Sequence, residues 1–286
     1  MKQDSYFILF DSLNEFATWL EKQTVKRKIT ILQVHHTWKP DYGSFNGKNH
    51  FDLLNSMRNS HIKDRKFDDI AQQITTFPDG KLAYSLGRPF DKAPAGIKGA
   101  NSNGVCVENI GNFDTGGDKI SDKQKQTIIG LYAVMAKKFN IPIDTNHIVY
   151  HHWYDLNSGK RIPDNIIDKY AGKSSVPGYE TKTCPGTAFF GGNTVKAAQD
   201  NFIPLIKEYF KREEVKEEIM KNFSKYFTDN VPEWIAVSAD KLYDMGILAG
   251  KMVDGKRVLD HNAPITRGEI AVLLDRAVDY VMKNKK

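Results

Sequence analysis

The sequence predicts an α/β fold, and three observations carry it. Short runs of β-branched and aliphatic residues, Ile29 to Val34, Val105 to Ile110 and Ile148 to Tyr150, read as buried strands. Between them lie stretches whose apolar residues recur at helical spacing. The turn Pro78-Asp-Gly80 separates two further strand-like runs and marks a hairpin, since proline fixes φ and glycine accepts a positive φ. At 286 residues the chain exceeds the common size of one domain, so one large and one small domain are expected.

Taken in order, Phe10 to Lys22 has helical spacing through Phe10, Leu13, Phe16, Trp19 and Leu20, with Asp11 or Ser12 as cap. The strand Ile29 to Val34 follows and delivers His35 and His36 at its exit. Phe51 to His61 reads as a short helix, Asp69 to Phe77 as a strand and Lys81 to Leu86 as the returning strand of the hairpin. The stretch from Arg88 to Asn103 is rich in Pro, Gly, Ala and Asn, the composition of a long functional loop. In the strand Val105 to Ile110, Cys106 and Glu108 share a face because side chains alternate. A carboxylate in so apolar a run needs a reason.

Ser121 caps the clearest helix, which runs to Phe139 through Ile128, Ile129, Leu131, Tyr132 and Met135. The strand Ile148 to Tyr150 again ends on a histidine pair, His151 and His152. Residues 157–177 are polar and punctuated by Gly and Pro, a surface excursion. Thr194 to Phe210 reads as a helix, continued by a charged helical linker from Lys207 to Lys221.

Composition narrows the function classes. Hydrophobic residues make up 40% and charged residues 27%, an ordinary globular balance. No apolar run approaches the roughly 20 residues that span a bilayer, so no membrane partner is expected. The first ten residues are too short an apolar stretch for a secretory signal. A net charge of +6 favours anionic surroundings, but no arginine-rich run or nucleic-acid motif accompanies it, so nucleic acid is not expected. Cys106 and Cys184 are two cysteines in a long chain, too few for a disulfide scaffold. The two histidine pairs and Thr181-Lys-Thr-Cys-Pro-Gly186 instead offer imidazole and thiolate, the ligands zinc prefers, and a catalytic zinc site takes three protein ligands and leaves one position open. His35, His151 and Cys184 are the expected ligands.

Five motifs in a fixed order bear on that site: Val34-His-His-Thr-Trp38, Asp69-Ile70 before Phe77-Pro-Asp-Gly80, Glu108 before Gly111-Asn-Phe113, Ile148-Val-Tyr-His151, and Lys182-Thr-Cys-Pro-Gly186. Together they resemble the type-2 N-acetylmuramoyl-L-alanine amidases, the fold shared by phage endolysins and peptidoglycan recognition proteins, over about residues 10–205. The resemblance implies a mixed central β-sheet flanked by helices, with a zinc-bearing groove across one face. It places the first ligand on His35, the second on His151 with His152 as the alternative, and the third on Cys184.

It further implies hydrolysis of the amide between N-acetylmuramic acid and L-alanine in peptidoglycan. Zinc polarises the carbonyl and lowers the pKa of water to about 7. Glu108 matches the glutamate that moves the proton, and Lys182 the basic residue that stabilises the oxyanion. Many members carry a tyrosine after the Asp-Ile pair where this chain has Gln72, which either leaves proton transfer to Glu108 alone or makes the site weaker. The non-catalytic alternative is a recognition protein that holds peptidoglycan without cutting it.

The C-terminal residues Ala239-Asp-Lys-Leu242, Gly246-Ile-Leu-Ala-Gly250 and Ile265-Thr-Arg-Gly-Glu-Ile270 are similar to one S-layer homology repeat, a small all-α module. The resemblance implies binding of an anionic secondary wall polysaccharide through Thr266, Arg267 and Glu269. The same residues equally form a helix capping box. A lone repeat has little core, which favours a homo-oligomer or packing on the first domain. The expected organisation is a zinc amidase domain over 1–210, a helical linker over 211–222 and the wall-binding or oligomerising module over 223–286. An endolysin or autolysin of this kind, without a leader, is expected to wait in the host cytoplasm until released to the cell wall.

Overall fold

The computed structural model describes residues 1–226 and, beyond them, two short strands, Lys251–Val253 and Lys256–Val258. The chain divides into two compact units, Met1–Lys207 and Glu208–Lys286.

The first unit is built on a seven-stranded mixed sheet. Its strands are β1 (Lys2–Gln3), β2 (Phe7–Phe10), β3 (Ile31–His36), β4 (Ile74–Thr76), β5 (Leu82–Ser85), β6 (Gly104–Asn109) and β7 (Ile148–Tyr150). Their spatial order is β1-β2-β5-β4-β6-β3-β7. The β1, β2, β5 and β4 contacts are antiparallel, whereas β4–β6, β6–β3 and β3–β7 are parallel. Parallel strands are covered on both faces, which is why Leu32, Val34, Val105, Val107, Ile148 and Val149 are all fully buried.

Helices α1 (Leu13–Glu21), α2 (His50–Lys63) and α3 (Asp122–Phe139) flank this sheet, with short turns α4 (Asp164–Ile167) and α5 (Val195–Ala197) and a long α6 (Ile203–Tyr226) later in the chain. Ser12 and Ser121 cap α1 and α3, accepting from the backbone N–H three residues on. The α3 face carrying Ile128, Leu131, Tyr132 and Met135 is fully buried. Burying one such side chain is worth about 1.5–3 kcal/mol. Tyr132 donates its hydroxyl to the Gln33 carbonyl at 3.0 Å, tying α3 to the central strand. A cluster of Phe7, Leu9, Leu54, Met57, Ile70 and Phe77 fills the space around α2. Tyr150, Trp153, Phe189 and Phe202 pack ring against ring behind β7.

Three elements differ from the sequence expectation. Phe10 ends β2 rather than starting α1. Of Asp69 to Phe77 only Ile74–Thr76 is strand, because side chains take the backbone groups before it: Arg88 Nε donates to the Ile70 carbonyl at 2.8 Å and His61 Nδ1 accepts from the Ala71 N–H at 3.1 Å. The helix expected from Thr194 is interrupted by a wide turn over Ala198–Phe202 before α6. Pro204 has no N–H to return to the preceding turn, so the regular ladder cannot pass through it.

Residues 211–222 lie within the continuous helix α6. In the second unit Lys251–Val253 pairs antiparallel with Lys256–Val258, a strand pair that the all-helical expectation did not include. Thr266, Arg267 and Glu269, and the repeat they belong to, lie outside the described residues. Among the described residues no helix is long and apolar enough to cross a membrane.

Candidate metal centre

The candidate site lies where the parallel strands end, the edge at which open α/β sheets present side chains to a ligand. In the β3–β6 ladder His35 lies opposite Glu108, and the β3–β7 ladder ends on Val34 opposite Tyr150, so His151 emerges at the level of His35. The ladders thus bring three strand ends, distant in sequence, to one place. Cys184 arrives on the loop that follows residue 180. That loop is anchored on Asp114, which accepts from the Thr183 side chain at Oγ1 and from the Thr187 backbone N–H, both at 3.0 Å. Gly186, at φ +123°, lies so close to the Phe113 backbone that a Cβ would collide with it.

His35 Nδ1 is 3.2 Å from His151 Nδ1 and 3.5 Å from Cys184 Sγ. These separations test the donor set. Two nitrogens bound tetrahedrally to one zinc lie about 3.3 Å apart, and a nitrogen and a sulfur about 3.6 Å, given the usual bond lengths. Both separations from His35 match that spacing, and the three ligand atoms lie within 4.8 Å of one another, so the residues fit a metal of this kind. The nearby His36 backbone amide also favours the thiolate.

Burial sets the charge states. It drives the His35 imidazole well below 6.5, helped by His151 and Lys182, and lowers His151 to about 3. Both rings are therefore neutral at pH 7, the form a ligand must have. Burial and the nearby Glu108 push the Cys184 thiol up, so in the metal-free protein it keeps its proton. Burial likewise raises the Glu108 carboxyl to about 8, against the pull of Lys182. Glu108 Oε1 is 3.8 Å from His35 Nδ1, and its Oε2 is buried without a hydrogen-bond partner. A divalent cation at this point would reverse the preference of both acids.

His152 is placed differently from His151. Its backbone N–H donates to the Cys184 carbonyl at 2.8 Å, and its ring Nδ1 meets the Lys182 carbonyl at 2.7 Å. It clamps the cysteine loop, while His151 faces His35. Lys182 itself is exposed at the rim, close enough for its charge to act on His35, His151 and Glu108. Gln72 is buried and donates to Thr75, the register partner of Glu108, at 3.0 Å. The remaining described histidines are engaged elsewhere: His36 with the Phe113 N–H, His50 with Asp79, His147 with Asp144 and His61 with the Ala71 N–H.

His35, Cys106 and Glu108 form a second group whose ligand atoms approach within 4.8 Å. It shares His35 with the first, so the two are not independent sites. His151 and Cys184 stand nearer to His35, at 3.2 and 3.5 Å, than Glu108 does at 3.8 Å. Asp114 was not anticipated from sequence. An aspartate after Gly111-Asn-Phe113 carries no periodic signal, and its partners lie some seventy residues away.

A family model described as N-acetylmuramoyl-L-alanine amidase (Amidase_2) matches residues 25–187. No curated protein matches the chain. Among solved structures, Drosophila PGRP-LB is similar at 18% identity, covering 42% of this chain and 69% of its own, with a TM-score of 0.37. Apis mellifera PGRP-SA is similar at 16% identity, covering 64% and 92%, with a TM-score of 0.40. The N-acetylmuramoyl-L-alanine amidase LysC from Clostridium intestinale is similar at 21% identity, covering 40% and 67%, with a TM-score of 0.33. Likeness this distant is silent on activity.

Proposed function

Because the chain belongs to the N-acetylmuramoyl-L-alanine amidase family, whose model spans more than half of it, we propose that it is a zinc-dependent peptidoglycan amidase that hydrolyses the amide between N-acetylmuramic acid and L-alanine. The observation that carries this reading is the convergence of His35, His151 and Cys184, three neutral or deprotonable donors within 4.8 Å of one another, with His151 and Cys184 at 3.2 and 3.5 Å from His35. Bound there, zinc would supply a Lewis acid for the scissile carbonyl and lower the pKa of a water.

The chain's own residues supply the rest. Glu108, on the strand beside His35 and 3.8 Å from its Nδ1, would take a proton and return it to the leaving amine. Lys182, exposed and near enough for its charge to act on Glu108, would stabilise the oxyanion. His152 and Asp114 hold the loop that presents Cys184. The protein would act on the cell wall as an endolysin or autolysin, with residues 223–286 binding anionic wall polysaccharide or joining copies of the chain.

The test is release of new amino groups from purified walls, with the new ends identified as L-alanine, lost on chelation and restored by zinc. Tight wall binding with no release from any wall type would instead identify a peptidoglycan-holding recognition protein.

A further inference from the structure

The middle of β3 carries a fully buried glutamine, Gln33, in an otherwise aliphatic run. It lies two residues before His35 and so on the same face of the strand. Its amide orientation is assigned by its partners on both sides. Oε1 accepts from the Ile97 N–H at 3.0 Å, which requires an oxygen there. Nε2 donates to the Ala100 carbonyl at 3.0 Å and to Asn101 Oδ1 at 3.1 Å, which requires a nitrogen. The oxygen is therefore the atom that faces His35 Nε2 at 3.3 Å.

A neutral imidazole has one N–H and one lone pair. With an obligatory acceptor opposite Nε2, the proton of His35 sits on Nε2 and the lone pair on Nδ1. Nδ1 is the atom that faces His151, Cys184 and Glu108.

The surroundings of Gln33 are built to this end. A Cβ at Gly96 would collide with Gln33 Oε1, and one at Gly104 with its Nε2 and with the Ala100 carbonyl, so both flanks of the loop close on the amide only because they are glycine. Asn101 adds a second tie, accepting from the Gly96 N–H at 3.1 Å as well as from Gln33.

We propose that Gln33 is the positioning residue of the metal centre: it fixes the tautomer and ring plane of His35 and couples them to the loop over residues 96–104. This rests on His35 being a zinc ligand, as read above. Removing an outer partner of a ligating histidine typically weakens metal binding roughly 10–100-fold.

The experiment uses the full chain and has two readouts. Nitrogen NMR of labelled histidine in zinc-free protein reads the tautomer, and competition against a chromophoric chelator reads zinc affinity. The wild type should show His35 protonated on Nε2. Gln33→Met, close in volume but with no acceptor, should mix the tautomers and weaken zinc binding by roughly 10–100-fold. Gln33→Glu keeps an acceptor opposite the ring and should recover most of that loss, although it gives up the donor bonds to the loop; a general packing defect would not be rescued this way. Protonation on Nδ1 in the wild type, or equal zinc affinity in wild type and folded Gln33→Met, overturns the proposal. Should Gln33→Met not fold, the wild-type tautomer and Gln33→Glu decide it. A wild type that takes up no zinc defeats the enzyme reading, while the tautomer still decides the role of Gln33.

Discussion

His35 and Glu108 face each other across the parallel β3–β6 ladder, with Nδ1 and Oε1 3.8 Å apart. Backbone hydrogen bonds hold the two strands in that register, so the two residues stay paired as long as the ladder does. A carboxyl group is thereby set beside a candidate metal ligand by the register of the central sheet.

Glu108→Gln keeps the shape of the side chain and removes its basicity. Turnover on purified walls should fall by about 10²–10⁴-fold, with zinc content unchanged on metal analysis. Turnover near that of the wild type would place the base elsewhere.

The two adjacent histidines should separate by phenotype. His151→Ala and Cys184→Ser should each lose stoichiometric zinc. His152→Ala should retain it and instead destabilise the protein by roughly 1–3 kcal/mol, since it strips the Lys182 carbonyl of its buried partner. Metal analysis paired with thermal unfolding reads both, and zinc loss confined to His152→Ala would exchange their roles.

Zinc-free protein should be acid-sensitive. An imidazole whose folded pKa lies below the unfolded 6.5 stays neutral in the fold while the unfolded chain takes up a proton. The contribution of His35 and His151 is therefore complete above about 6.5 and is lost as pH falls towards the folded value, about 3 for His151. Glu108 has the opposite sign: its folded pKa of about 8 exceeds the ordinary 4.5, so its contribution is lost as pH rises between them. Urea unfolding of zinc-free His151→Ala should lose less stability between pH 7 and 5 than the wild type, and zinc-free Glu108→Gln should gain on the wild type at pH 8. Parallel pH profiles for the three proteins would contradict both assignments.

Arg88 should matter far more than its ion partner. Its buried guanidinium donates to the Ile70 carbonyl at 2.8 Å and the Ala93 carbonyl at 3.1 Å, and pairs with Asp68, whose side chain is 57% exposed. Arg88→Met leaves buried carbonyls without donors and should cost roughly 2–4 kcal/mol. Asp68→Asn should cost under about 1 kcal/mol, as exposed pairs do. Denaturant midpoints that rank the two the other way would refute this.

Removal of residues 223–286 should lower affinity for whole walls or reduce the mass in solution, while amide release from soluble muropeptides persists. Arg267→Ala should reproduce the loss of wall affinity if the tail binds polysaccharide. Unchanged binding and mass in the truncated protein would deny the tail both roles.

What the sequence by itself determined was local. The apolar runs of β3, β6 and β7, the periodicity of α3 with Ser121 as its cap, the Pro78–Gly80 turn and the donor types of His35, His151 and Cys184 all follow from neighbouring residues, as does the family resemblance drawn from five motifs. What only the tertiary structure decided was non-local. That His151 rather than His152 meets His35, that Glu108 stands opposite His35, that the loop at Ile97 and Ala100 turns the Gln33 amide oxygen toward that ring and that Asp114 anchors the cysteine loop all depend on ladder register and on loop contacts between segments 64 or more residues apart. Periodicity along a chain carries no information about which strand lies beside which, and the chemistry of this site begins where those strands meet.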